Sequence, residues 1–322
     1  MDNFVEKQKT GVVLLNMGGP ERQEDVGPFL TNLFSDRDII RLGPAFLQKP
    51  LARFIARRRA PHSQKMYQRI GGGSPLRQIT EAQAMALEKS LRHGGGDYHV
   101  RAAMRYWHPR AEQSILELAR LGAQKLIALP LYPHYSRTTT GSSLADLRQA
   151  KEKILPDVAM TEIGGWPDHP GYIAALADCL AEGLRQCQSG KPRLLYSAHS
   201  LPQSVIDGGD PYLGHLRRTI AALEKQTGIG GTLCFQSRGG PVRWLRPETG
   251  DIIGECARAG EKELLIMPIS FVSDHVETLY EIGILFAEQA KSQGMRLVVS
   301  PSLNTRASFI SCLRDLALSV QS

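Results

Sequence analysis

The chain has 322 residues, 42% of them hydrophobic, and carries a formal net charge of +7 at pH 7. That length supports a sizeable core and predicts about two domains, and no apolar run approaches the roughly 20 residues of a membrane-spanning helix. Met1–Thr10 is polar and lacks a signal-peptide core. The five cysteines, Cys179, Cys187, Cys234, Cys256 and Cys312, are scattered without a CxxC, which argues against a zinc ribbon or a clustered iron–sulfur motif. Reduced thiols and a cytoplasmic setting are expected.

The basic residues gather at Arg53, Arg57, Arg58, Arg59 and Lys65, with more at Arg217, Arg218 and Lys225. Arg57–Arg59 follow the apolar residues of Ala45–Ile55. The cluster reads either as a solvated helix face or as a contact for an anionic ligand or membrane surface over residues 42–59. No recognition helix, RNP or zinc-finger pattern accompanies it, so nucleic acid is not an expected partner.

In chain order, Gly11–Met17 reads as a buried strand, turned by Gly18-Gly19-Pro20, with Pro20 suited to the first helical position. An amphipathic helix follows through Val26, Phe29, Leu30 and Leu33. The GxGxxG fingerprint is absent, so no dinucleotide is implied. Residues 41–66, interrupted by Pro44, Pro50 and Pro61, read as a flexible lip or an irregular helix. Gly71-Gly72-Gly73 reads as a tight turn or a close approach to a ligand. A helix Thr80–Leu91, a strand His99–Tyr106, a helix Glu112–Leu121 and a strand Lys125–Leu129 come next. A polar and aromatic loop, Pro130–Gly141, and a helix Ser142–Lys153 close the first half. Asp157–Pro170 reads as the crossover.

The second half begins with helix Gly171–Gln186. Strand Arg193–Ser197 leads into Ala198-His199-Ser200-Leu201-Pro202. Helix His215–Thr227, strand Thr232–Gln236 and helix Asp251–Ala259 follow. The apolar run Leu264–Met267 reads as a buried parallel strand whose ladder ends at Pro268. A long helix to about Ser292, a strand Arg296–Val299 and a helix Thr305–Ser319 complete the chain.

Ala119-Arg120-Leu121-Gly122, Leu126-Ile127 and Pro130 recur with identical gaps as Ala257-Arg258-Ala259-Gly260, Leu264-Leu265 and Pro268. The repeat predicts two Rossmann-like, doubly wound α/β domains, residues 1–160 and 161–303, whose parallel sheets face a central cleft. The C-terminal helix, about 304–322, is expected to pack back on the first domain.

Asp274, His275, Glu277 and Glu281 crowd a strand end and the first turns of a helix. Asp274 with Glu277 has capping-box spacing. Glu277 and Glu281 share a face, where like charges oppose helix formation by about 0.2–0.5 kcal/mol unless a cation is near. Ligands bind beyond the carboxyl ends of strands in open α/β sheets. One wall of that cleft would offer Met17, Arg105, Tyr106, Tyr135 and Ser136, and the other His199, Ser237, Arg238, Asp274, His275 and Glu277. Imidazole and carboxylates without cysteine suit a divalent metal in transit or a general base. Arg and Tyr suit an acidic, partly aromatic ligand.

Asn16-Met17-Gly18-Gly19-Pro20, Gly71-Gly72-Gly73-Ser74-Pro75, Met104-Arg105-Tyr106-Trp107-His108-Pro109, Tyr132-Pro133-His134-Tyr135-Ser136, Ser197-Ala198-His199-Ser200-Leu201-Pro202, Phe235-Gln236-Ser237-Arg238 and Ser273-Asp274-His275-Val276-Glu277-Thr278-Leu279 occur in one order along nearly the whole chain. Together they resemble ferrochelatases. The resemblance implies insertion of Fe2+, as substrate, into a porphyrin with loss of two protons, in haem biosynthesis. His199 and Glu277 take the places of the catalytic histidine and the carboxylate opposite, both also candidates for metal contact. Met17, Arg105, Tyr106, Tyr135 and Ser136 fall among porphyrin-lining positions, and Asp274, His275 and Glu281 among a relay near the metal. No permanently bound cofactor is implied. There is no cysteine-rich C-terminal extension, so no iron–sulfur cluster is expected.

Relatives acting on coproporphyrin carry Tyr where this chain has Met17, which points to protoporphyrin IX. A coproporphyrin III ferrochelatase, another tetrapyrrole chelatase and a non-catalytic porphyrin or haem binder are the alternatives. Leu285 stands where many members have a third acidic residue, Gly239 where many have Val, and Gly250 where many have Asp. Leu42–Ile55 matches the family's mobile lip.

Overall fold

The computed structural model describes residues 8–320; residues 1–7 of the polar Met1–Thr10 stretch and the last two of the expected C-terminal helix lie outside them. The first half contains β1 (Lys9–Asn16), α1 (Val26–Ser35), α2 (Gln48–Arg69), α3 (Leu76–His93), β2 (Asp97–Met104), α4 (Ala111–Arg120), β3 (Lys125–Pro130), α5 (Ser142–Ile154) and β4 (Ala159–Glu162). The second contains α6 (Pro170–Gln186), β5 (Arg193–His199), α7 (Gln203–Asp207), α8 (Tyr212–Thr227), β6 (Thr232–Gln236), α9 (Thr249–Arg258), β7 (Glu263–Pro268), α10 (Ala287–Ser292) and β8 (Arg296–Val299). A last helix, α11 (Ala307–Ser319), follows.

Two parallel four-stranded sheets result, in the orders β2-β1-β3-β4 and β6-β5-β7-β8. The internal repeat is therefore one topology used twice. In each half the chain reverses its direction of winding between the first and third strands, where open α/β sheets form their ligand crevice.

Residue alternation explains the layers. Val12 and Leu14 face a core shared by both sheets, together with Tyr196, Leu265 and Met267. Val13 and Leu15 face the opposite side, against α4 and α5. Likewise Leu264 and Ile266 pack under α9. Strand side chains alternate between faces, so a sheet covered on both sides reads as a continuous apolar run. The shared core also takes residues of α3, α6, α8 and α11, and α11 lies against both α3 and α6. The two sheets thus rest on one common helical layer.

Several local expectations change. The stretch read as a crossover holds β4, which pairs with β3. Its four partly exposed residues, Ala-Met-Thr-Glu, carry no apolar alternation to announce it. Pro20 does not start a helix; a 3-10 turn at Gln23–Asp25 precedes α1. Residues 41–66 are mostly the 22-residue α2. Pro50 falls in its first turn, where no backbone donor is required, and Pro61 is carried in its interior. The three glycines form a turn. Gly71 and Gly72 take φ of +106° and +97°, and a Cβ on Gly73 would sit 2.0 Å from the Glu21 carbonyl oxygen.

As expected, the ladder ends at Pro268, the last paired residue of β7; the closing bond runs from Ile269 N–H to the Ser197 carbonyl at 2.9 Å, as Leu131 N–H closes on Leu15 past Pro130. The long helix after β7 is π-helical over Glu277–Phe286 before continuing as α10.

Candidate active site

Because β5 and β7 are neighbours, their carboxyl ends bring His199 and the Ser273–Glu281 segment together. His199 closes β5, and its backbone is held on both sides. Its N–H donates to Ser270 Oγ at 3.0 Å, and its carbonyl accepts from the Tyr212 hydroxyl at 2.9 Å. Its Nδ1 lies 2.9 Å from Glu277 Oε2. That same oxygen accepts from Ser237 Oγ at 2.7 Å and Gln236 Nε2 at 3.4 Å. Ser237 also donates its N–H to Glu281 Oε1 at 2.9 Å, and its hydroxyl meets Glu281 Oε2. The serine holds a left-handed φ of +66° to do so, a conformation that costs a non-glycine residue about 1–3 kcal/mol. Residues four apart on the π-helix therefore converge on one hydroxyl.

The electrostatics follow from this packing. Burial would raise the Glu277 carboxyl, but the His199 imidazole on it wins and holds it well below the usual carboxylate range. Burial would lower His199; the Glu277 charge overcomes that and raises it. Glu281 is pushed up by burial and then by the Glu277 charge. His275 is lowered by burial. Its Nδ1 donates to the Ser273 carbonyl at 3.1 Å, so the neutral ring keeps a bare Nε2, buried without a partner and 3.9 Å from Glu277 Oε1. The Phe271 ring packs against both imidazoles.

Asp274 stands apart from this group. Its carboxylate accepts from Ser302 Oγ at 2.6 Å, Asn304 Nδ2 at 2.8 Å and Thr278 Oγ1 at 3.2 Å. The expected capping box with Glu277 does not form, and the carboxylate ties its loop to the segment before α11.

The first-half residues are bound into the protein. Arg105 Nη2 and the Tyr106 hydroxyl meet Asp36 Oδ2 at 2.9 and 2.7 Å, and Ser142 Oγ joins them. Tyr106 is only 3% exposed, so its hydroxyl serves this network. Burial and the Asp36 charge push it far up. Ser136 is fully buried and donates to Asp210 Oδ2 at 3.0 Å. Tyr135 is partly exposed, its N–H on His215 Nδ1 at 3.1 Å. Met17 packs half-buried in a cluster with Tyr67, Tyr106, Trp107 and Val276.

These groups are linked. Asp210 accepts from Ser136, from Arg137 N–H and from Tyr212 N–H, and Tyr212 in turn holds the His199 carbonyl. Asp36 and Asp210 had no signal in the sequence beyond positions at element ends, while Gln236 stood only as a member of the Phe235-Gln236-Ser237-Arg238 motif. Among the described residues, no group of three or more His, Cys, Asp or Glu is arranged to hold a metal ion.

A family model described as Ferrochelatase matches residues 9–320. The ferrochelatase of Desulfotalea psychrophila is 56% identical over 309 residues, covering 96% of each chain. That of Geotalea uraniireducens is 51% identical, covering 96% of this chain and 97% of its own. Among solved structures, SirB from Bacillus subtilis with Fe3+ aligns with a TM-score of 0.59 at 9% identity, covering 98% of this chain and 96% of its own. CbiX, the terminal enzyme of sirohaem biosynthesis in denitrifying bacteria, aligns at 0.52 with 15% identity, covering 98% and 100%. At such identities the likeness is one of fold, two Rossmann-like halves of the chelatase kind. With the family model spanning nearly all of it and relatives identical at half its positions, this chain belongs to the ferrochelatase family.

Proposed function

We propose that the protein inserts Fe2+ into protoporphyrin IX, releasing two protons, with His199 and Glu277 as its catalytic pair. The observation that carries the residue assignment is the chain His199–Glu277–Ser237–Glu281. One hydroxyl hydrogen on Ser237 faces two carboxylate oxygens, so one carboxyl must bring its own proton. Glu281, raised by burial, is that group. Ser237 then donates to ionised Glu277, which accepts from His199 Nδ1.

In its neutral form His199 donates its Nδ1–H to Glu277 and keeps its lone pair on Nε2, with the side chain a third exposed. It accepts a ring N–H proton there, and the Glu277 carboxylate stabilises the imidazolium. The ring is reset when that Nε2 proton passes to solvent at its exposed edge, while Glu277, held ionised by the imidazole and by the Ser237 hydroxyl, keeps the Nδ1 proton in place. Porphyrin nitrogens must expose their lone pairs as the metal arrives, so a pocket favouring a bent ring lowers the barrier. The bare Nε2 of His275 and Oε1 of Glu277 form a two-donor approach for Fe2+, of a kind suited to a borderline cation that must leave again. Met17, Arg105 and Tyr135 stand on the porphyrin side. Tyr106 and Ser136 act from behind it by anchoring Asp36 and Asp210. The reaction makes the protein a lyase of haem biosynthesis with no resident cofactor.

A cytoplasmic protein with peripheral membrane contact fits the same reading. α2 carries seven Lys and Arg and no acidic residue, equal to the whole net charge of +7. Phe46, just before α2, and Phe54, within it, are 77% and 55% exposed. Among the described residues no helix is long and apolar enough to cross a membrane. Sedimentation with phosphatidylglycerol vesicles, lost on Phe46→Ser with Phe54→Ser, is the expected result; wild type that stays in the supernatant removes the contact.

Anaerobic absorbance with Fe2+ and protoporphyrin IX or coproporphyrin III tests the function. Loss of the free-base protoporphyrin spectrum, abolished by His199→Ala in a folded protein, is expected. Tight porphyrin binding without insertion by the wild type would indicate a carrier instead, and preference for coproporphyrin III would change the substrate.

A further inference from the structure

We propose that Gln83, a residue of the first half, positions the iron-approach donors of the second. This rests on the reading of His275 and Glu277 as metal contacts. Gln83 lies on α3, fully buried. Its Nε2 donates to Ser273 Oγ at 3.0 Å and to the Asn304 carbonyl at 2.8 Å. The carbonyl of Asn304 can only accept, so the amide is oriented with its NH2 toward these two groups. Its Oε1 is left buried without a partner. An orphaned buried acceptor costs about 1–3 kcal/mol, and a leucine or methionine of similar size would avoid it.

What Gln83 grips is the frame of His275. Ser273 gives its carbonyl to His275 Nδ1 and so sets which ring nitrogen stays bare. Asn304 takes a left-handed φ of +42° and embraces Asp274, its Oδ1 on the Asp274 N–H at 2.9 Å and its Nδ2 on the carboxylate at 2.8 Å. Asp274 then accepts from Thr278, whose Oγ1 accepts the His275 N–H at 3.0 Å. His275 is therefore fixed at its ring, its amide and its neighbour, and every one of these bonds leads back to Ser273 or Asn304. Gln83 is the side chain from the other half that holds both. Asp274, placed by resemblance in the metal relay, is the centre of this clamp.

The consequence is a selective one. Gln83 touches neither the porphyrin-side residues nor the His199–Glu277 bond, so its loss should blur the Fe2+ approach and leave porphyrin binding alone. The control is Glu263→Gln. Glu263 is buried at the far end of β7 and accepts from Gln188 N–H, Ser189 N–H and Arg296, so the change destabilises the same strand away from the cleft.

The experiment compares steady-state insertion by wild type, Gln83→Met and Glu263→Gln, each corrected for folded fraction. It adds a Co2+ titration of the porphyrin-free proteins followed by absorbance. For Gln83→Met, kcat/KM for Fe2+ and Co2+ affinity should both fall about tenfold, with porphyrin KM within about twofold, matching the loss of a neutral hydrogen-bonded clamp. Glu263→Gln should change none of these. Gln83→Met with wild-type Fe2+ kinetics and Co2+ affinity, iron and porphyrin parameters falling together, or wild type that binds no Co2+ would each overturn the clamp. Wild type that binds Co2+ yet inserts no iron would overturn the enzymatic reading while leaving the Co2+ comparison to decide the clamp.

Discussion

The two halves carry π-turns at the same place, after the third strand of each sheet, and use them for opposite ends. The offset that brings Pro130 onto Pro268 also brings Thr139 onto Glu277 and Ser143 onto Glu281. The first-half turn, Arg137–Gly141, is capped by Ser136, whose side chain accepts the Thr138 N–H, and stitched to Asp210 of the second half. The second-half turn, Glu277–Phe286, is longer and gathers two carboxylates and an imidazole around Ser237. One frame thus serves once as a joint between halves and once as a reactive centre. Wide π-turns occur often at functional sites. Here the backbone geometry is common to both halves, and only the side chains decide which turn does chemistry.

The comparison breaks most directly at the corresponding pair. Glu277→Gln should lower iron insertion by about 10²–10⁴-fold, the range for a proton-transfer group, while Thr139→Val should leave it within about twofold. Equal losses from the two changes, measured by porphyrin absorbance, would mean that both turns react. Next comes the joint. Asp210→Ala leaves the Ser136, Arg137 and Tyr212 donors unpaired, which should cost about 1–3 kcal/mol of stability by urea unfolding. The folded fraction should keep most of its turnover; loss of turnover at full stability would make the first-half turn a direct participant.

Ser237→Ala should reduce kcat about tenfold, below the loss expected for a group that itself transfers the proton, because two carboxylates lose the hydroxyl between them. An unchanged kcat would mean that the Ser237 hydroxyl does not hold Glu277 in place. The smallest effect is on pH. His199 is raised in the folded protein, so its contribution is complete below the unfolded value of 6.5 and fades as pH rises through the folded value. Glu277 is depressed, so its contribution is complete above 4.5 and fades as pH falls through its folded value. The stability gap between wild type and Glu277→Gln should therefore be widest between pH 4.5 and 6.5. A gap that grows steadily to alkaline pH would contradict the pair.

Much of this was legible along the chain. Apolar runs such as Leu264–Met267 announce strands because burial on both faces leaves no room for polar alternation. The repeat at Pro130 and Pro268 reveals the doubled topology, and short motifs at strand ends reveal the cleft. β4 stayed hidden because a short edge strand, exposed in part, needs only hydrogen bonds to a neighbour already in place. The continuous α2 stayed hidden because local proline preferences were outweighed by packing along α1.

By itself the sequence determined where along the chain the crevice strands lie, and that His199, Glu277 and Glu281 follow at their ends. The strands follow from local patterns, continuous apolar runs and the breaks set by glycine and proline, and the choice of those three residues from the resemblance to the family's motifs. Tertiary structure alone decided the roles of the other polar groups. Tyr106 turns to Asp36, Ser136 to Asp210, and Asp274 to Asn304. A buried polar atom must bond to whatever lies within about 3 Å of it, and for these residues that partner is some 30 to 74 positions away in the chain.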